Sequence, residues 1–261
     1  VAVPGAVRDS NTGSVDSVTL GWQGMPLGAT LSRALSLPVV VENNVNAVAV
    51  AEQLYGTGRN FQNFLLVTVG TGIGLSIVLG GELYRGAKGA AGELGHIEVD
   101  PKGSICTCGK TGCLEVVIGQ TSLETIGREK GLISSRENIG SLGDIGRAGN
   151  EAAQQIFETA ARELGTAVSH LVNVFDPEAI LILGEGVSQW DLWSGEFLST
   201  LRSKSLPGAI GIPVVVEDWN DVSWAQGAAS LVLSSSRSTN SDLGVQASKI
   251  RRRFVVAGAP K

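Results

Sequence analysis

"LPVVVENNVNAVAVAE", residues 37–52, runs from a Pro-led, β-branched stretch into an Ala- and Val-rich segment, with Asn43, Asn44 and Asn46 at the junction. "LPVVVE" reads as a buried strand, and "NAVAVAEQLYG" as a helix stopped at Gly56. A strand feeding a helix is the repeating unit of α/β folds, and ligands of such folds bind off the strand ends. The amides therefore mark a candidate site. Glu42 is the one acid among them.

The same alternation continues outward in both directions. "VAVPGAV" at the start reads as a strand closed by Pro4-Gly5, and "MPLGATLSRALS" has helical spacing. "FLLVTVG" and "GLSIVLGGELY" read as two strands joined by the glycine turn "GTGIG". After a loop-rich region at 86–115, a long helix is expected from Glu151 to Val174. Asn150 is its N-cap, and Asp176-Pro177 ends it. "AILILGEGVS" and "IPVVVEDW" are further strands, and "AQGAASLVLSS" is a last helix of small residues.

Composition narrows the function classes. With 43% apolar and 17% charged residues the chain has the balance of a folded globular protein, and no run approaches the ~18–20 apolar residues of a membrane span. A net charge of −5 argues against a nucleic-acid surface on the body of the chain. The basic cluster "KIRRRF", 249–254, follows the polar "SSSRSTNSD" and is expected to be a solvated or disordered tail. No signal peptide is apparent, and three cysteines suit free or metal-bound thiols in a reducing cytoplasm better than a disulfide framework.

All three cysteines and one of the two histidines fall within "GHIEVDPKGSICTCGKTGCLE", as His96-x9-Cys106-x-Cys108-x4-Cys113. Three thiolates and an imidazole make a closed tetrahedral set, the arrangement of structural zinc. Gly103, Gly109 and Gly112 let the backbone turn tightly enough for the sulfurs to converge. His170 lies on the long helix and reads as a packed or solvated helix residue. The turn "VTVGTGIGLS" sets Gly70, Thr71, Gly72 and Gly74 between two strands, where backbone N–H groups can face a phosphate.

Taken in order, "VPG", "ENNVNAVAVAE", "VGTGIG", "GAAGELGHI", "CTCGKTGCLE" and "LVNVFDPEAILILGEGVS" resemble the ROK family of repressors, open reading frames and sugar kinases, over most of the chain. The resemblance implies an α/β, actin-like and hexokinase-like (ribonuclease H-like) fold of two lobes, with a sugar in the cleft and a zinc-bound loop. It divides the chain into a partial N-lobe at 1–60, a C-lobe at 61–225 with the zinc loop at 96–113, and a C-terminal helix and polar, basic tail at 226–261. The N-lobe is expected to be incomplete, since neither the "DxGxT" phosphate loop of family kinases nor the helix-turn-helix of family repressors is present in this stretch.

By the same resemblance the sugar hydroxyls are held by Asn43, Asn44, Glu93, His96 and Glu115. Zinc fixes His96 through one ring nitrogen, leaving the other for a hydroxyl. Asn46 is expected to cap or pack the following helix. Asn44 stands where a family kinase carries its catalytic Asp, and an amide cannot take the proton of an attacking hydroxyl. Glu185, in "LGEGVS", stands where family kinases have glycine against the adenosine. The preferred reading is the sugar-binding effector domain of a transcriptional regulator, with DNA reached only through a segment outside this chain. The alternative is an ATP-dependent sugar kinase of the glucokinase or N-acetylamino-sugar type. A monosaccharide or amino-sugar ligand and a homo-oligomer are implied under either.

Overall fold

The opening strand closes at Pro4-Gly5 as expected, and a second begins directly beyond it. β1 (Ala2–Val3) ends at Pro4-Gly5, and β2 (Ala6–Asp9) leaves in a different sheet. Gly5 has φ 119°, and a Cβ there would overlap the Asp16 carbonyl oxygen, so glycine is what allows the turn. β2, β3 (Ser14–Ser17) and β4 (Trp22–Pro26) form an antiparallel meander, with Ala6 opposite Asp16 and Val15 opposite Met25. α1 (Leu27–Leu35) follows and ends at Ser36, which is left-handed at φ 53°. Of "LPVVVE" only the end joins a ladder: β5 (Glu42–Asn43) lies parallel to β1, Val3 opposite Asn43. The ladder is short because β1 offers two residues before Gly5 turns the chain away. Val41 nonetheless packs with Val3 and Val15 in a core ringed by Val7, Trp22, Leu27 and Val39.

α2 (Asn44–Leu54) leads towards β6 (Phe64–Val69), whose six residues are all buried, as a strand covered on both faces requires. β7 (Ile73–Leu79) was expected to run on through Tyr84 but reverses at Gly80-Gly81, φ 59° and 76°, into β8 (Glu82–Leu83). Two left-handed residues in a two-residue loop are the tight hairpin turn, and the glycine pair is its sequence signal. α3 (Leu114–Ile118), α4 (Gln120–Glu129) and α5 (Ile139–Arg147) come next. α6 (Glu151–Phe175) has the expected cap, the Asn150 side chain accepting from the Ala153 N–H at 3.0 Å, and it ends at Asp176 in the left-handed region. β9 (Ala179–Leu183), α7 (Trp190–Lys204) and β10 (Val214–Val216) complete a parallel set in which β6 and β10 flank β9, Leu66 and Val215 both opposite Leu181. The strand order is β10-β9-β6-β7-β8. α8 (Val222–Arg237) and α9 (Gly244–Ala257) follow.

This computed structural model describes residues 1–237 and 244–257. The chain divides into two compact units. The first comprises Val1–Gln62, Ser76–Gly92 and the described residues from Asn220 onward; the second comprises Asn63–Leu75 and Glu93–Trp219. The C-terminal helices join the first unit because α8 packs closely on α2: a Cβ on Gly227 would come within 2.9 Å of the Ala47–Val48 backbone. The basic cluster is not a loose tail. Lys249–Arg253 lie on α9, which buries Gln246, Ala247 and Ile250; the polar stretch before it lies partly outside the described residues. No helix among the described residues is long and apolar enough to cross a membrane.

Candidate functional site

In the first unit, the three amides at the end of β5 have different tasks. Asn43 is the N-cap of α2: its Oδ1 accepts from the N–H groups of Val45 at 2.8 Å and Asn46 at 3.1 Å, while Nδ2 donates to the Gly5 carbonyl at 3.1 Å. Capping of the helix thus belongs to Asn43. Asn46 is buried instead, donating to Glu42 Oε1 at 3.1 Å and accepting from the Ser76 hydroxyl at 2.8 Å. Among the described residues the Asn44 amide makes no hydrogen bond, and it is half-buried at the first position of α2.

Glu42, the acid beside these amides, is committed elsewhere. It is only 5% exposed, and its Oε2 pairs with Arg85 Nε at 2.7 Å. Its Oε1 accepts from the Asn43 N–H at 3.0 Å as well as from Asn46. Both oxygens of this buried carboxylate are thus engaged by donors within the protein. This end of β5 therefore offers amide donors and acceptors but no available base.

In the second unit the cysteine loop gathers as its spacing predicts. His96 Nδ1 lies 3.5 Å from Cys106 Sγ, Cys108 Sγ lies 3.6 Å from Cys113 Sγ, and all four donor atoms fall within 4.8 Å of one another. Sulfurs bound tetrahedrally at about 2.3 Å from a zinc ion are separated by about 3.8 Å, so the donor set fits that metal in number, type and spacing. Small pairings close the loop, Glu98 with Cys113 and Ile105 with Thr111, and Gly112 turns at φ 65° where a Cβ would overlap the Asp100 carbonyl oxygen. Burial and the adjoining Cys108 and Cys106 thiols push the Cys113 thiol up to about 12. Cys108 is also raised by burial, but the Lys110 backbone N–H and the Cys106 and Cys113 thiols outweigh this and hold it below the usual thiol value. Such a set resists becoming three thiolates unless a cation supplies the balancing charge.

With Nδ1 turned to the sulfurs, His96 presents Nε2 to Glu93, 3.9 Å from Oε2. That is too long for a direct hydrogen bond, but two bonds of ordinary length can meet at a hydroxyl between atoms so spaced. Cys113, the last thiol, is the N-cap residue of α3, and Glu115 sits in that helix's first turn. The Glu115 Oε2 accepts from the Ile73 N–H at 3.2 Å. The metal-type loop and the glycine turn are thus linked through three residues of chain.

The glycine turn lies between β6 and β7 as expected, with Thr71 and Gly72 exposed. Its surroundings were not legible from the turn itself. Glu115 lies against it, its Oε2 3.1 Å from where a Cβ on Gly72 would sit. Glu185, on the short 3-10 turn after β9, rests its carboxylate on Gly70, where a Cβ would overlap it. The turn expected to face a phosphate therefore carries two acids of the chain's own. The other expected sugar ligands, Asn43 and Asn44, lie in the first unit and Glu93, His96 and Glu115 in the second.

Comparison with known proteins agrees with this reading of the fold. A family model described as the ROK family matches residues 1–235. A glucokinase of Halalkalibacterium halodurans is 38% identical over 72% of this chain and 61% of its own length. A xylose repressor of Bacillus spizizenii is 28% identical over 79% of this chain and 53% of its own. Among solved structures, a ROK family transcriptional regulator, a homolog of the E. coli MLC protein, superposes with a TM-score of 0.81 at 27% identity, covering 98% of this chain and 64% of that one. The chain spans about half to three-fifths of the length of these curated relatives. Kinases and repressors thus stand together among its relatives, and the expected actin-like α/β fold is theirs.

Proposed function

This chain belongs to the ROK family, and we propose that within it the chain is the sugar-binding effector part of a transcriptional regulator, not a sugar kinase. The observation that carries this reading is the end of β5. Asn44 stands where a kinase needs a carboxylate, and Glu42 cannot substitute, being buried and paired with Arg85. Loss of a general base typically costs about 10²–10⁴ in rate, whereas an amide still satisfies a sugar hydroxyl. Recognition is retained while the proton-transfer step loses its acceptor.

The crowding of the glycine turn supports the same reading. A γ-phosphate held by Gly70, Thr71, Gly72 and Gly74 would meet the carboxylates of Glu115 and Glu185, a like-charge juxtaposition that disfavours nucleotide. The proposed ligand is a monosaccharide or amino sugar, a class supported by the glucokinase and xylose repressor among the relatives. Asn43 (through its remaining N–H), Asn44, Glu93, His96 Nε2 and the free oxygen of Glu115 hold its hydroxyls. A structural zinc on His96, Cys106, Cys108 and Cys113 would hold His96 in one orientation. Sugar binding then biases a two-state equilibrium by its differential affinity for the two states, and the bias is passed to DNA through a segment outside this chain in a homo-oligomer.

The test is calorimetry with glucose, xylose and N-acetylglucosamine, beside a coupled ATP assay, on the encoded protein and on Asn44→Asp. The expected result is sugar binding with no turnover in the native protein and measurable phosphorylation in the variant. Turnover by the native protein at a rate that Asn44→Asp leaves unchanged would establish the kinase instead.

A further inference from the structure

A cavity of about 340 Å³ lies in the first unit, between the end of α1 and the last helix, lined by Ser32, Ser36, Leu37, Pro38, Lys249, Arg252 and Arg253. The spacing of the three cations, i, i+3 and i+4, sets them on one face of α9, while Ala247 and Ile250 take the buried face. Among the described residues the lining contains no acid. Among the described residues none of the three cations has a carboxylate partner, although Arg8, Arg85, Arg128, Arg147 and Arg162 all do. In a chain of net charge −5 such a grouping is not a consequence of general basicity.

Three like charges at one concavity repel one another, and a bound polyanion relieves that repulsion. The C-terminal carbonyls of α1 offer part of the balancing charge, but a helix end carries only about half an elementary charge. We infer that this cavity is a binding site for a small phosphorylated molecule. Arg252 and Arg253 supply planar forks that match phosphate oxygens, Lys249 a compact charge, and Ser32 and Ser36 hydroxyl donors. The volume is that of a small-molecule pocket, and Leu37 and Pro38 give the non-phosphate part an apolar wall. The inference is independent of whether the chain is a regulator or a kinase, since the site shares no residue with the sugar ligands.

The probes are inorganic phosphate, a hexose 6-phosphate, the unphosphorylated hexose and a random 20-base-pair DNA duplex, titrated calorimetrically at low salt. The proteins are the native chain, Arg252→Gln/Arg253→Gln, and the milder Lys249→Gln should the double variant not fold. Both phosphate probes are expected to bind the native protein and to lose at least tenfold in affinity in the variants, while hexose affinity stays unchanged. Equal affinity for the two identifies free phosphate as the recognised group; tighter hexose phosphate identifies a phosphorylated sugar. Absence of phosphate binding at millimolar concentration, binding that the variants leave intact, or variant-sensitive binding of the duplex alone would each overturn the assignment.

Discussion

The cysteine loop and the glycine turn are neighbours in the second unit and have opposite electrostatic designs. In the loop, three sulfurs and a ring nitrogen converge within 4.8 Å, and burial, together with the adjoining Cys108 and Cys106 thiols, pushes the Cys113 thiol up to about 12. That arrangement gains from a cation. In the turn, the glycines read as a place for an anion, but Glu115 takes the Ile73 N–H and Glu185 lies on Gly70. That arrangement answers its own donors. The contrast teaches that a motif's ligand is decided by the side chains delivered to it, not by the motif. Cysteines bring charge that must be completed from outside, whereas glycines bring only space, which other residues can fill.

The largest effect expected from breaking this contrast is on the loop. Cys108→Ser should abolish metal retention, read as zinc per chain by mass spectrometry, at a cost to local folding on the order of 10 kcal/mol. Zinc affinity of the native protein should also fall as pH is lowered, because the thiols must lose their protons to bind it. Since Cys113 begins the helix that carries Glu115, amide exchange at Ile73 should quicken in the variant. Exchange at Ile73 unaltered in metal-free protein would show the two regions to be uncoupled.

Next in size is Glu115→Ala, which removes the acceptor of a buried residue's N–H and a proposed sugar ligand at once. Stability should fall by about 1–3 kcal/mol, the cost of an unsatisfied donor. Sugar affinity should fall further than that of Glu115→Gln, whose amide oxygen can still accept from Ile73. If Gln and Ala behave alike in both readouts, the hydrogen bond to the turn is not what holds it.

How much of this was legible in the sequence follows from where the deciding residues come from. The loop was readable because its four donors lie between His96 and Cys113, with glycines where the backbone must reverse. The turn was readable as a turn, but Glu115 and Glu185 reach it from α3 and from the segment after β9, and no local pattern records where such side chains point. The same limit explains Asn43 and Asn46: both are amides at one strand end, and only the position of Gly5 and Ser76 in space makes one the cap and the other a buried link. One strand boundary was missed, at Gly80-Gly81, where positive φ breaks an otherwise continuous apolar run. The basic cluster misled because Ala247 and Ile250, three residues apart, are too few to announce an amphipathic helix among so many charges.

Glu185→Gly should raise affinity for magnesium–ATP about tenfold, or about 1.4 kcal/mol, measured by calorimetry in the native and Asn44→Asp backgrounds. The effect is smaller than that of Glu115 because Glu185 is exposed and partly screened by solvent. Nucleotide binding equally tight with and without this carboxylate would break the contrast, since the turn would then accept an outside anion as readily as the loop accepts a cation.

The smallest expected effect isolates the contact itself. Gly70 is not left-handed, so Ala is compatible with its backbone, and the three nearest atoms its Cβ would meet all belong to Glu185. In the native chain Gly70→Ala must displace that carboxylate, at a cost of about 1 kcal/mol; in a Glu185→Gly background the same change should cost nothing and can even stabilise by restricting the unfolded chain. A double-mutant cycle on denaturant midpoints reads the difference as a coupling energy. Coupling near zero would mean that Glu185 swings off the turn freely, and its charge would then act on the turn only from a distance.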